Sequence, residues 1–146
     1  MKRVLEERQM IKKYILSGDD FSMAGYASSD LKSVLKKLGV AADAIRRVSV
    51  AMYEAEINTI IHGGGGECEV DITSSAVTMI FTDIGPGIPD IDKAMTEGYS
   101  TANEEARTLG FGAGMGLPNM RRNATAFDIQ SQVGVGTTIM MQFALK

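Results

Sequence analysis

The sequence predicts an α+β protein: a two-layer sandwich with a mixed, mainly antiparallel sheet and helices on one face. Three observations predict it. Two helical stretches follow an N-terminal strand with no strand between them. Two alternating segments, ECEVDIT and AVTMIFTDI, then sit either side of a short SSA turn. Two more, FDIQSQV and TTIMMQFAL, close the chain around GVG. Strands therefore come in adjacent pairs and do not alternate with helices, which argues against a doubly wound parallel sheet.

Each element follows from local pattern. MIKKYILS, Met10–Ser17, reads as the first strand, and Gly18-Asp19-Asp20 turns the chain. From about Gly25 to Leu38, the residues Ala27, Leu31, Val34, Leu35 and Leu38 recur at helical spacing, and Gly39 stops the helix. A second helix is expected from Ala42 to about Ile61. Its apolar stripe is Ala44, Ile45, Val48, Ala51, Met52 and Ala55, Asp43 or its neighbour is the expected cap, and HGGGG ends it. After the first strand pair, GPGIPD breaks the chain and PDIDKAM suits a short helix. TEGYSTANEEARTLGFGAG is polar and glycine-bearing, a candidate mobile loop. GLPNMRRNATA reads as a helix with Pro118 in its first turn, where a missing N–H costs nothing.

Length and composition limit the function classes. The 146 residues suit a single domain over 1–146, and 45% hydrophobic with 23% charged residues is ordinary for a globular chain. A net charge of −3 gives no general attraction to nucleic acid or to an anionic membrane. Arg46-Arg47 and Arg121-Arg122 read as solvated arginines on helix faces. Cys68 is the only cysteine and His62 the only histidine, so neither an internal disulfide nor a zinc site is expected. The opening MKRVLEERQM is charged and lacks the apolar core of a signal peptide. No apolar run approaches the ~18 residues of a membrane span. A cytoplasmic setting is expected.

Three stretches could carry chemistry. In YEAEINTIIH, Glu54, Asn58 and His62 succeed each other one helical turn apart and form one strip. Glu56 points to the other side and is expected in water. A carboxylate one turn from an amide suits proton transfer beside a hard oxygen ligand for Mg²⁺. The same pattern also fits a polar helix surface. DIGPG, Asp83 to Gly87, places an aspartate at a strand end, where it could accept from an amino group such as that of adenine. An ordinary turn fits it equally. GFGAGMGLPNM puts Gly110, Gly112, Gly114 and Gly116 at every second position before a helix start, an arrangement that cradles phosphate. It is not a Walker A loop, since the chain has no Gly-Lys pair. A glycine-rich linker remains the alternative.

Together and in this order, the motifs resemble the GHKL superfamily of gyrase, chaperone and histidine-kinase ATPases. EAEIN matches its E-x-x-x-N box, DIGPG its D-x-G-x-G box, GFGAGMGL its second glycine box and GVGTT its G-T box. Within the superfamily the chain resembles the small bacterial anti-sigma factor serine/threonine kinases. The helix ASSDLKSVLKKLGV, the segment RRVSVAMYEAEINTIIHGG and the C-terminal half GMGLPNMRR…FDIQSQVGVGTT carry that likeness.

The resemblance implies ATP and Mg as cofactors, with Glu54 as general base and Asn58 holding Mg²⁺. It gives Asp83 the adenine amino group, with Thr137 supporting it and Gly85 and Gly87 shaping the pocket. Gly110, Gly112, Gly114 and Gly116 would face the phosphates, and a lid of about 96–109 would close over ATP, with contacts from Ser100, Thr101 or Arg107. The implied partners are a STAS-class antagonist protein and a sigma factor, and the family permits a homodimer. The implied activity is protein serine/threonine phosphorylation. The rival is a nucleotide-dependent binding module without kinase activity. A water-directed ATPase clamp ranks below both, because no transducer domain follows Lys146. Relatives often carry an acidic residue where Thr125-Ala126 stand here, which bears on partner recognition more than on nucleotide binding.

Overall fold

The computed structural model describes residues 9–19, 21–96 and 116–145. Five segments whose side chains alternate between apolar and polar form the sheet: β1 (Met10–Ser17), β2 (Gly65–Ile72), β3 (Ala76–Asp83), β4 (Ala126–Gln132) and β5 (Gly136–Ala144). Their spatial order is β1-β2-β3-β5-β4. Every pairing is antiparallel, so the parallel component of the expected mixed sheet is absent among the described residues. The helices explain why. Two of them lie between β1 and β2 and return the chain to the end it left, so that Ser17 pairs with Gly65.

The register lines up the two faces. Tyr14, Cys68, Phe81, Ile139 and Ile129 stand abreast on the inner face, and Val70, Met79, Met141 and Phe127 form the next row. The outer face carries Ile15, Glu67, Thr82, Thr138 and Gln130 toward water. Helices α1 (Tyr26–Lys37), α2 (Ala42–Ile61), α3 (Ile91–Ala94) and α4 (Gly116–Asn123) accompany the sheet. Leu31 and Leu35 of α1, Val48, Ala51, Met52 and Ala55 of α2, and Leu117 and Met120 of α4 join the inner face in one core. Each such fully buried large apolar side chain contributes about 1.5–3 kcal/mol. Among the described residues no helix is long and apolar enough to cross a membrane.

Two local expectations are corrected. Helix α2 begins after Ala41, which makes no side-chain cap. Asp43 lies inside the first turn, where its charge suits the helix dipole, and its carboxylate accepts from Arg46 and Arg47 at 3.2 Å each.

Glu56, expected in water, is fully buried. Its Oε2 accepts the backbone N–H groups of Gly25 and Ala27, both at 3.0 Å, and its Oε1 accepts that of Ser28 at 3.1 Å. Helix α1 starts at Gly25 without a side-chain cap of its own. A carboxylate from α2 therefore satisfies donors that the start of a helix leaves open, and opposes the positive end of its dipole. Glu56 is two residues from Glu54, about 200° around the helix. It faces α1 because α2 has a helix on each flank, a fact that its own periodicity does not carry.

Candidate functional site

Helix α2 carries Glu54 and Asn58 one turn apart, both half-buried. The glycines after it let the helix end against the sheet. The carbonyl of Asn58 accepts from the backbone N–H groups of His62 at 2.9 Å and Gly63 at 3.2 Å, so His62 closes the helix. The Asn58 side-chain amide takes no hydrogen bond among the described residues. The Glu54 carboxylate lies against the start of α4. Its Oε2 accepts from Asn119 Nδ2 at 3.3 Å, and a Cβ on Gly116 would stand 3.4 Å from its Oε1. The last glycine of the box thus lies beside the carboxylate, at a helix N-terminus whose free N–H groups favour anions.

Asp83 ends β3 and is buried at 7% exposure. Its Oδ1 accepts the backbone N–H groups of Gly85 at 2.9 Å and Thr137 at 3.2 Å. Its Oδ2 takes no hydrogen bond among the described residues. Gly63 and Gly85 make this close meeting of α2 and β3 feasible. A Cβ on Gly63 would collide with the Asp83 carboxylate, and one on Gly85 with the Gly63 carbonyl. Gly87 turns at φ +81° against the carbonyl of Gln132, a backbone conformation and a space that only glycine fits. Thr137 supports Asp83 through its N–H, and its hydroxyl meets that of Ser131 at 2.7 Å. Ser131 Oγ in turn accepts from the backbone N–H of Ile88 at 2.7 Å. The loop after β3 is thereby pinned to the β4–β5 hairpin.

Glu54 and Gly116 therefore meet toward one end of this stretch of α2 and Gly63, Asp83, Gly85 and Thr137 at the other, roughly 13 Å apart along the helix axis, with Asn58 between them on α2. Gly110, Gly112, Gly114, Ser100, Thr101 and Arg107 lie outside the described residues, as does the expected lid of about 96–109 beyond Thr96. Thr96 follows α3, and its hydroxyl donates to the carbonyl of Asp92 at 3.3 Å. Sequence reasoning missed Gly63, Ser131 and Asn119. Gly63 was hidden in a run of four glycines. Ser131 and Asn119 sit in ordinary polar stretches with no spacing to mark them.

The residues fit a nucleotide. A buried carboxylate with one oxygen held by backbone and the other unpaired suits an exocyclic amino group. The amide of Asn58, without a hydrogen bond among the described residues, offers the hard oxygen that Mg²⁺ prefers, and Glu54, one turn away, offers a proton acceptor.

Residues 43–146 match the family model described as histidine kinase-, DNA gyrase B-, and HSP90-like ATPase. The chain is 33% identical over 112 residues to the serine/threonine-protein kinase RsbT of Bacillus subtilis (strain 168), covering 74% of this chain and 78% of that protein. It is 31% identical over 121 residues to an anti-sigma F factor of Thermoanaerobacter sp. (strain X514), covering 80% and 81%. It is 26% identical over 144 residues to an anti-sigma F factor of Clostridium beijerinckii, covering 94% and 95%. An E-x-x-x-N helix, a D-x-G-x-G turn packed against its end and the last glycine of a glycine box at the start of α4 are thus found in a chain that belongs to the histidine kinase-, DNA gyrase B- and HSP90-like ATPase family.

Proposed function

We propose that this chain is an anti-sigma-type regulator that binds Mg-ATP and phosphorylates a serine or threonine on a STAS-class partner protein. The observation that carries the reading is the Glu54 carboxylate, half-buried against Gly116 at the start of α4 and one turn from Asn58. That is where a γ-phosphate held by the glycine box and an incoming hydroxyl would meet. The relatives named above as a serine/threonine kinase and as anti-sigma factors support the same reading.

In the proposed reaction the partner's hydroxyl oxygen bonds to the γ-phosphorus. The bond from phosphorus to the β–γ bridging oxygen breaks, ADP leaves, and Glu54 takes the hydroxyl proton. Asp83 accepts the adenine amino group at Oδ2, while Gly85 and Thr137 hold its other oxygen. Asn58 would hold Mg²⁺, which would neutralise phosphate charge. Gly110, Gly112, Gly114 and Gly116 would supply backbone N–H groups to the phosphates, with residues 96–109 proposed as the lid. Positioning and charge neutralisation do most of the work in phosphoryl transfer.

The test is Glu54→Gln. Label transfer from ATP to the partner should fall by about 10²–10⁴-fold with ATP affinity within a few-fold of wild type. Transfer at the wild-type rate would remove Glu54 from the chemistry. The second reading, a nucleotide-dependent binding module, draws on the relatives named anti-sigma F factor. Stable ATP-dependent complexes with no label transferred would favour it.

A further inference from the structure

We propose that Asn119, held by Arg122, is a positioning residue that orients the Glu54 carboxylate. The inference rests on Glu54 as the proton acceptor. Asn119 and Arg122 are three residues apart on α4, on one side of the helix. Arg122 donates to Asn119 Oδ1 at 2.6 Å. A guanidinium only donates, so the amide oxygen must face Arg122 and the NH₂ must face away from it. That NH₂ is the group that meets Glu54 Oε2 at 3.3 Å. The amide cannot flip without setting two donors against each other. The end of the helix holds Asn119 as well, since Asn123 Nδ2 donates to its backbone carbonyl at 2.8 Å. Leu117, Pro118 and Met120 are buried on either side of Asn119 in sequence and anchor α4 in the core.

The two carboxylate oxygens are therefore unequal. Oε2 is occupied by Asn119. Oε1 takes no hydrogen bond among the described residues and lies over Gly116, facing the phosphate end of the site. Oε1 is the oxygen that receives the proton. Positioning by a neutral amide leaves the carboxylate its charge while removing its rotational freedom, the kind of preorganisation on which proton transfer depends.

The experiment uses the full chain and two readouts. In nucleotide-free protein, the side-chain amide resonances of Asn119 should shift on Glu54→Gln, and unchanged resonances would overturn the contact. In single-turnover hydrolysis of Mg-ATP, where water replaces the partner's hydroxyl as phosphoryl acceptor and gives its proton to Glu54, Asn119→Ala should slow ADP and phosphate formation about 10–50-fold with ATP affinity within twofold, the cost of a misaligned reacting group. In a Glu54→Gln background the same change should have no further effect, because the two residues act as a unit. Equal slowing in both backgrounds would show that Asn119 acts apart from Glu54 and would overturn the inference. A Glu54→Gln protein as fast as wild type would instead overturn the base assignment, so the two failures are distinguishable. Asn119→Asp, which sets a second carboxylate beside the first, should move the acid limb of the rate–pH profile up by about one unit. An unmoved limb counts against direct contact.

Discussion

Replacing Glu56 with alanine should destabilise the fold far more than its place on a polar helix suggests. The carboxylate is fully buried and accepts three backbone N–H bonds at the start of α1, which has no other side-chain cap. Loss of a helix cap alone costs about 1–2 kcal/mol. Bonds to a charged acceptor contribute about 1.5–3 kcal/mol each, but bonds sharing one carboxylate do not add in full. Three orphaned donors and a small cavity together cost about 3–5 kcal/mol. An unfolding entropy of about 2.1 cal/mol/K per residue gives about 0.3 kcal/mol/K for 146 residues, so the thermal midpoint should drop by about 10–16 °C. The assay is paired urea and heat denaturation followed by far-UV circular dichroism, with an unchanged urea slope as the sign that cooperativity survives. Glu56→Gln keeps one acceptor but turns an NH₂ toward a backbone donor, and should recover little of the loss. Glu69→Ala, on the exposed face of β2, is the control and should stay within about 0.5 kcal/mol of wild type. If Glu56→Ala matched that control, the backbone donors of Gly25, Ala27 and Ser28 would have other partners and the capping argument would fail.

The remaining predictions concern the nucleotide end, the β1–α1 contact and the lone thiol. Asp83→Asn should lower ATP affinity by about 30-fold or more in calorimetry, since either orientation of the amide leaves one donor facing a donor; a loss under threefold would count against the adenine assignment. Gly63→Ala, whose added carbon would meet the Asp83 carboxylate, should lower ATP affinity at least about tenfold, and wild-type affinity would show that α2 and β3 need not approach so closely. The Tyr14 hydroxyl, donating at 2.8 Å, and then Lys12 at 3.1 Å hold the Asp30 carboxyl below the usual carboxylate range. A lowered folded value places the stabilisation above the unfolded value of about 4 and removes it as pH falls through the folded one. The gap in urea midpoint between wild type and Tyr14→Phe should therefore hold from about pH 5 to 8 and shrink below about pH 4. Burial pushes the Cys68 thiol well above its ordinary range, so it should resist Ellman's reagent at about pH 8 in native protein and react fully in urea.

Much of this architecture was legible because its elements are strongly periodic and sharply bounded. Helix α2 spans Ala42–Ile61, as its apolar stripe and the following glycines indicate, and β1 spans Met10–Ser17. The paired strands were legible from alternation, which also separates the core face from the open face. The boxes were legible as residue types at fixed spacing. What the spacing could not carry was the partner of each polar group. Glu56 looked solvated because a helical wheel knows the core side of a helix but not its flanks. Asp43 looked like a cap because caps and first-turn acids share one composition, and only backbone geometry separates them. Asn119 and Ser131 act across 65 and 43 residues of chain, on Glu54 and Ile88, and no local pattern encodes such contacts.

These contacts divide the work of α2 by angle. Residues four apart share a face, so Glu54 and Asn58 both belong to the proposed site, while Glu56, half a turn away, belongs to α1. The amphipathic stripe between them binds the sheet. One helix thus has three neighbours, and its two carboxylates in this stretch, Glu54 and Glu56, face different ones. The separation implies that chemistry and stability can be removed independently. Glu54 can lose its charge without orphaning any backbone donor among the described residues, because its single bond among them is to a side chain that water can replace. Glu56 cannot, because its partners are main-chain groups buried with it. A variant that is inactive yet melts like wild type, beside one two residues away that melts early, is what this geometry requires. If Glu54→Gln and Glu56→Gln lost stability equally, α2 would not be divided by angle, and the placement of its carboxylates on separate neighbours would be wrong.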